Sequence, residues 1–232
     1  AIDADSDAIT STISGTDTAA FAINSSTCLI TFASAPDFEN PADANTNNEY
    51  LITVTATDDS GETASTSQSL TITVQNLSDN APVFTTSAFT GIAENQTAVG
   101  TAAATDADSD SLTFTLTGTG ADDGLFSITN GGVITFSSAP DFETPLGGTG
   151  DDSNTYEINV NASDGTLNTV QAHTIAVINV NEAPVITGGA TDTASVAENT
   201  NAATTVIDVA HSDVDSGDTI AYTLTGSVDD GL

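Results

Sequence analysis

Along residues 111 to 118, "SLTFTLTG", apolar and polar positions alternate, so Leu112, Phe114 and Leu116 share one face of an extended chain. The same two-residue period places Tyr156, Ile158, Val160 and Ala162 together in "TYEINVNAS", and Ile175 and Val177 continue it. These are half-buried strands. With "VFTTSAF", "TAVGTAAAT", "LFSIT" and "GVITFSS" they make about seven strands in roughly 100 residues, separated by Gly, Asn and Asp, the signature of an immunoglobulin-like sandwich. "TNGG" at 129 to 132 reads as a tight hairpin turn, because Asn and Gly tolerate positive φ. No stretch carries a convincing helical period.

The pattern repeats. "DADSD" at 3 to 7 returns at 106 to 110, and "ASAPDFENP" at 33 to 41 returns as "SSAPDFETP" at 137 to 145. "DNAPVF" at 79 to 84 returns as "NEAPVI" at 181 to 186, "AEN" at 93 to 95 returns at 197 to 199, and "DDGL" at 122 to 125 returns at 229 to 232. Five landmarks recur at offsets between 102 and 107 positions, so one structural unit is repeated along the chain. The expected division is residues 1–78, the later part of one repeat; 79–180, a complete repeat; and 181–232, the first half of a third. The expected reading is a window cut from a longer array.

Composition narrows the chemistry. The 232 residues include 33 Asp and Glu, two His and neither Lys nor Arg, for a formal charge of -33. Nucleic acids and anionic membranes, which are held through basic side chains, are excluded as partners. Hydrophobic residues at 38% in alternating runs argue for a folded chain and against acidic disorder. The single Cys28 cannot form an intrachain disulfide, and no apolar run is long enough to span a bilayer. Every carboxylate must therefore be solvated, accept hydrogen bonds or bind a metal. The recurring acidic residues fall where strands end, and hard cations such as calcium take six to eight oxygens from such loops.

These landmarks resemble the cadherin repeat in its bacterial cadherin-like form, over the whole chain. In order through the complete repeat they are "AEN" (Glu94), "DAD" (Asp106, Asp108), "DFE" (Asp141, Glu143), "ASD" (Asp164) and an Asx-rich linker before Ala-Pro. The resemblance implies tandem seven-stranded Greek-key sandwiches, all-β, with calcium shared at the junction between successive repeats. It implies a first junction using Asp37, Glu39, Asn76, Asp79, Asn80, Asp106, Asp108 and Asp164. A second would use Glu94, Asp141, Glu143, Asn179, Asn181, Glu182, Asp213 and Asp215. Two departures weaken the match. "NLSDNAP" has Asn76 and Ser78 where the family's linker has its first Asp and Asn, and "NVNEAP" is a residue shorter with one carboxylate, Glu182.

Nearer alternatives fail on spacing. An EF-hand loop from Asp106 would need Gly and Glu where Ser111 and Thr117 stand. "GGTGDD" at 147 to 152 is a single copy of a motif that binds calcium only in tandem. "DANTNN" at 43 to 48 is open between a further ion cage through Asp43, Asn45 and Asn47 and plain turn chemistry. Asp141 and Glu143, spaced like Asp37 and Glu39, could pass for a glycosidase pair, but their recurrence in each repeat marks scaffolding. His173 is expected on or near the core, His211 in solvent beside acidic loops, and Cys28 as a free thiol close to a hairpin. Sequons stand at Asn24, Asn76, Asn95 and Asn161.

The expectation is a non-enzymatic, calcium-rigidified segment of a long extracellular or cell-surface repeat protein, an adhesin stalk or self-assembling filament. The alternative is an accessory region of a secreted polysaccharide-acting enzyme. Expected partners are calcium ions, neighbouring repeats or identical chains in a fibre, and cell-surface or polysaccharide ligands. Absence of Lys and Arg also leaves no trypsin site; protease resistance and a salt-adapted acidic proteome explain that equally well.

Overall fold

The computed structural model describes residues 8–58, 64–147, 153–187 and 193–223. The chain divides into two compact units. One comprises Ala1–Val83 with two later loops, Thr105–Leu112 and Ser163–Thr169; the other comprises Phe84–Ala104, Thr113–Ala162 and Val170–Leu232. Among the described residues the structure is all β, with two single-turn 3₁₀ segments, Thr18–Ala20 and Asp123–Leu125.

In the first unit, β1 (Ile9–Ser14), β4 (Glu49–Asp58) and β5 (Ser65–Thr73) form an antiparallel sheet in the order β1-β4-β5, and β2 (Phe21–Asn24) pairs with β3 (Leu29–Phe32) as a hairpin. Cys28, with φ +58°, lies in the turn of that hairpin and is a free thiol. Phe21, Phe32 and Tyr50 cluster at the centre, with ring centroids 4.6, 5.6 and 5.4 Å apart.

The second unit takes up the pattern with β6 (Val83–Phe84), β7 (Ala88–Ala93), β8 (Ala98–Thr101), β9 (Ala104–Thr105), β10 (Thr113–Leu116), β11 (Phe126–Ile128), β12 (Val133–Phe136), β13 (Thr155–Ser163) and β14 (Asn168–Ile178). One sheet has the order β10-β13-β14-β7 and the other β11-β12-β8. The β7 strand runs parallel to β14. Phe126, Phe136 and Tyr156 form an aromatic cluster at 4.4, 5.8 and 5.3 Å, like that of Phe21, Phe32 and Tyr50 in the first unit. Ile134, Ile158, Val160, Ala162 and Ile175 are fully buried around it, as the alternation predicts.

Two expected strands are broken. "VFTTSAF" divides into β6, which pairs with β9, and β7, which joins β14; "TAVGTAAAT" divides into β8 and β9. Each half hydrogen-bonds to a different sheet, so curled sheets replace a clean seven-stranded arrangement. The "TNGG" turn forms as expected: Gly132 at φ +85° donates its N–H to Thr129 O at 2.9 Å. In residues 181 to 223 the described structure is a two-residue pair, β15 (Val185–Ile186) with β16 (His211–Ser212), the counterpart of β6 with β9. Thr187 N donates to Ala210 O at 2.9 Å just as Thr85 N donates to Ala103 O at 2.8 Å.

Buried carboxylates brace both units. Asp17 accepts the N–H groups of Ala44 and Leu51, both at 2.7 Å. Asp122 accepts Glu157 N at 2.7 Å, and Asp123 accepts Asn159 N at 2.8 Å and Gly120 N at 2.9 Å. With no Lys or Arg available, backbone amides take the place of ion pairs.

Candidate metal centres

In the first unit the loop 105–112 curls through Ser109, at φ +64°, and brings carboxylate oxygens of Asp106, Asp108 and Asp110 within 4.8 Å of one another. A second set, Glu39, Asp79 and Asp108, is equally close, so Asp108 belongs to both. Asp108 is only 5% exposed. Its Oδ2 accepts Asp79 N at 3.1 Å and Asn80 N at 2.8 Å, and its Oδ1 accepts Asn80 Nδ2 at 3.2 Å. Asn76 donates from Nδ2 to the Asp108 carbonyl at 2.9 Å. The linker is thus pinned onto the Asp-Ala-Asp loop by side chains and backbone together.

The remaining members take turn roles. Asp37 Oδ1 accepts the N–H groups of Glu39 and Asn40, at 3.1 and 3.0 Å, and Asp164 Oδ1 accepts those of Thr166 and Leu167, at 2.5 and 2.6 Å. The second oxygens of Asp106 and Asp164 are buried with no hydrogen-bond partner. A buried, unpaired carboxylate oxygen is costly unless a cation or proton meets it.

The second unit repeats the construction. Glu182 N donates to Asp215 Oδ2 at 2.6 Å, the counterpart of Asn80 on Asp108. Oxygens of Glu94, Glu143 and Glu182 lie within 4.8 Å of one another, as do those of Asp213, Asp215 and Asp218. Glu94 is 3% exposed and accepts Phe142 N at 2.7 Å and Val180 N at 2.8 Å. Asp141 Oδ1 accepts Glu143 N and Thr144 N, at 3.0 and 2.9 Å, matching Asp37. Asn179 donates to Glu143 at 2.9 Å, Asn181 to the Glu182 carbonyl at 3.0 Å, and Asp213 accepts Asp215 N at 3.1 Å. Glu182 Oε1 accepts Asn95 Nδ2 at 2.6 Å, while its Oε2 is buried without a partner.

The crowding registers in the titration of these groups. Burial, a hydrogen bond to Asp108 and repulsion from Asp108 and Asp79 raise the Glu39 carboxyl above 4.5. Burial also acts on Asp108, but hydrogen bonds from Asn80, Glu39 and Asp79 outweigh it, and that group is held below 3.8. Burial, then the negative field of Glu94 and Asp215, raises both Glu143 and Glu182. Three proton-holding environments and one proton-shedding environment are what unneutralised carboxylate clusters produce.

The ligand sets implied by the resemblance leave out Asp110, Asp218 and Asn95, which the structure brings to these clusters. The first two stand two and three positions beyond a named pair, which the "DADSD" and "DVDSGD" spelling displays. Asn95 directly follows Glu94. Asp43 resolves in favour of turn chemistry: its carboxylate accepts the N–H groups of Asn45, Asn47 and Asn48, at 3.0, 3.1 and 2.7 Å. His173 is fully buried, flanked by Phe84 and Phe89, with Nδ1 3.1 Å from Gln171 O. His211 is exposed and contacts Tyr222. The "DADSD" copy at 3 to 7, the "DDGL" copy at 229 to 232 and most of "GGTGDD" lie outside the described residues.

Comparison with known proteins places this geometry. The family described as bacterial Ig domain matches residues 79–176. A mouse protein, protocadherin Fat 4, is 35% identical over 138 residues, 57% of this chain and 3% of its own length. The chain thus spans a small fraction of that relative. Human protocadherin-24 EC1-2 superposes with a TM-score of 0.57 at 23% identity, covering 76% of this chain and 84% of that one. Mouse cadherin-23 EC22-24 gives 0.58 at 25% identity, covering 75% and 53%. The chain has a cadherin- and immunoglobulin-like extracellular-domain fold. This is the fold of non-catalytic adhesion domains, related to bacterial Ig and protocadherin domains.

Proposed function

We propose that the chain is a calcium-rigidified segment of a long extracellular repeat protein, serving as an adhesin stalk or surface filament. The observation that carries this reading is the set of buried carboxylate oxygens without partners, on Asp106, Asp164 and Glu182, in a protein with no Lys or Arg. All three belong to the sets that the cadherin resemblance assigns to ions. Hard oxygen donors in clusters of three, with amide oxygens of Asn76, Asn80, Asn179 and Asn181 nearby in sequence, suit calcium and not a soft metal.

The first set would hold ions through Asp37, Glu39, Asn76, Asp79, Asn80, Asp106, Asp108 and Asp164. The second would use Glu94, Asp141, Glu143, Asn179, Asn181, Glu182, Asp213 and Asp215. Calcium there supplies positive charge where the chain has none. The chain's own part is to preorganise: Asn80 and Glu182 fix each linker on an acidic loop, and Asp37 and Asp141 stiffen the "DFE" turns. Binding energy then becomes stiffness between consecutive repeats, the divisions being 1–78, 79–180 and 181–232.

Isothermal titration of chelated protein with calcium, paired with small-angle scattering, tests this. Expected are saturable binding at or below millimolar calcium and a narrower distribution of long dimensions when loaded. An absence of binding at millimolar calcium, or identical scattering in both states, would sink it.

A further inference from the structure

Asn48 and Asn154 stand outside the ligand sets, yet each makes the same two contacts within its own unit. Each directly precedes a long strand, β4 or β13. Asn154 Nδ2 donates to the Phe142 carbonyl at 2.8 Å, and its main-chain oxygen accepts Val177 N, also at 2.8 Å. Asn48 Nδ2 donates to the Phe38 carbonyl at 2.9 Å, and its main-chain oxygen accepts Val74 N at 3.0 Å. Phe38 and Phe142 are the middle residues of the two "DFE" turns, and Val74 and Val177 lie on the runs that lead into the two linkers. Each asparagine therefore ties a "DFE" turn to a linker run, holding the first with its side chain and the second with its backbone.

A second feature recurs with the first. Asn48 Oδ1 and Asn154 Oδ1 are both buried with no hydrogen-bond partner. An orphaned amide oxygen is costly, and an apolar side chain of similar size would avoid that cost. An apolar side chain cannot donate to the phenylalanine carbonyl, so the donor is the part of the amide that each unit uses.

In the second unit Phe142 is held through both its main-chain groups, its N–H by Glu94 Oε2 at 2.7 Å and its carbonyl by Asn154. Glu94 is itself a bridge from turn to linker, since its Oε1 accepts Val180 N at 2.8 Å. The two bridges differ in charge. Glu94 belongs to the acidic cluster with Glu143 and Glu182, so a cation there would draw on its oxygens. Asn154 is neutral and does not titrate, so its bridge does not depend on how the cluster is neutralised. We propose that Asn48 and Asn154 are positioning residues for ion binding, each fixing a "DFE" turn against its linker independently of any ion. The proposal rests on the calcium reading above and adds to it two residues outside the ligand sets. Removing an outer hydrogen bond of this kind lowers metal affinity by about 10–100-fold.

The test titrates the chelated, isotopically labelled chain with calcium and follows the amide signals of Asn76 and Asn179, one in each linker. The titration is repeated on Asn154→Asp, which keeps the side chain's shape and its oxygen but removes the donor. Expected is calcium binding weakened by about 10–100-fold at Asn179 and unchanged at Asn76, with faster hydrogen exchange of the Phe142 amide in the calcium-free chain. Asn130→Asp, which adds the same charge on an exposed turn, should bind as the unaltered chain does. Should Asn154→Asp fail to fold, as circular dichroism would show, Asn154→Ala replaces it with the same expected loss, and Asn48→Ala reports the first set at Asn76. Tighter binding by Asn154→Asp would make the residue a direct ligand and overturn the proposal. Unchanged affinity in a folded variant also overturns it, even with a lowered melting temperature, because the bridge would then serve the fold alone. Failure of the unaltered chain to bind calcium removes the calcium reading itself, and this proposal with it.

Discussion

Among the described residues, carboxylates met by the backbone amides of a facing strand differ in chemistry from those that meet one another. Asp17, Asp122 and Asp123 are buried, at 5, 5 and 6% exposure, and each is met by backbone N–H groups from a facing strand. Asp123→Ala leaves Asn159 N and Gly120 N without their acceptor and should cost about 1–3 kcal/mol, read from urea midpoints at unchanged slope. The carboxylates of the acidic clusters instead face one another, which makes stability depend on pH in two directions. Glu39, Glu143 and Glu182 are raised above 4.5, so the calcium-free folded state holds more protons than the unfolded chain there and loses stability as pH rises through that window. Asp17, lowered chiefly by the Leu51 N–H, and Asp141, lowered by Thr144, contribute stability present above 3.8 and lost as pH falls further. Calcium-free melting temperature should therefore peak between about 3.8 and 4.5 and decline toward neutrality. Calcium should remove the decline, because bound carboxylates are ionised throughout. A calcium-free profile flat from pH 4 to 7 would contradict this.

At the scale of elements, local pattern decided what was legible. The period-two runs of β10, β13 and β14 carry their own evidence, because each apolar position needs only the same strand to be recognised. The division of "VFTTSAF" and "TAVGTAAAT" was not legible, since it depends on which distant strand each half meets: β6 finds β9, and β7 finds β14 some 80 residues away. Residues 193 to 210 echo β7 and β8 in sequence yet form no strand. The acidic loops behaved differently. Their clustering was legible from the order of landmarks, whereas Asp17 and Asp123 were hidden because nothing in "GTDTAAF" or "ADDGLF" announces a facing backbone amide. Turn chemistry was legible and is testable. Gly132 holds φ +85°, and a Cβ there would strike the carbonyl oxygen of Ala102. Gly132→Ala should destabilise the β11–β12 hairpin and its pairing with β8 by about 1–3 kcal/mol. Hydrogen exchange should rise first at β8, β11 and β12; uniform protection across the unit would count against a local origin.

For the whole molecule the governing quantity is the charge of -33 with no basic side chain to offset it. Self-repulsion on this scale opposes compaction at every distance within a Debye length, about 30 Å at 0.01 M salt and about 10 Å at 0.1 M. Two agents can relieve it, and they act at different ranges. Monovalent salt screens the exposed carboxylates everywhere but reaches the buried oxygens of Asp106, Asp164 and Glu182 poorly. Calcium acts only where oxygens converge. The calcium-free chain should therefore gain melting temperature steeply as sodium chloride rises from about 0.01 to 0.5 M, and the calcium-loaded chain should gain much less. Saturating salt should still leave the calcium-free protein below the loaded one, because screening cannot pair the buried oxygens. Were salt alone to restore the full melting temperature, general repulsion would account for the behaviour and the convergent oxygens would need no ion. Were salt to have no effect on the calcium-free chain, the net charge would be irrelevant to its stability and the clusters would have to act without it.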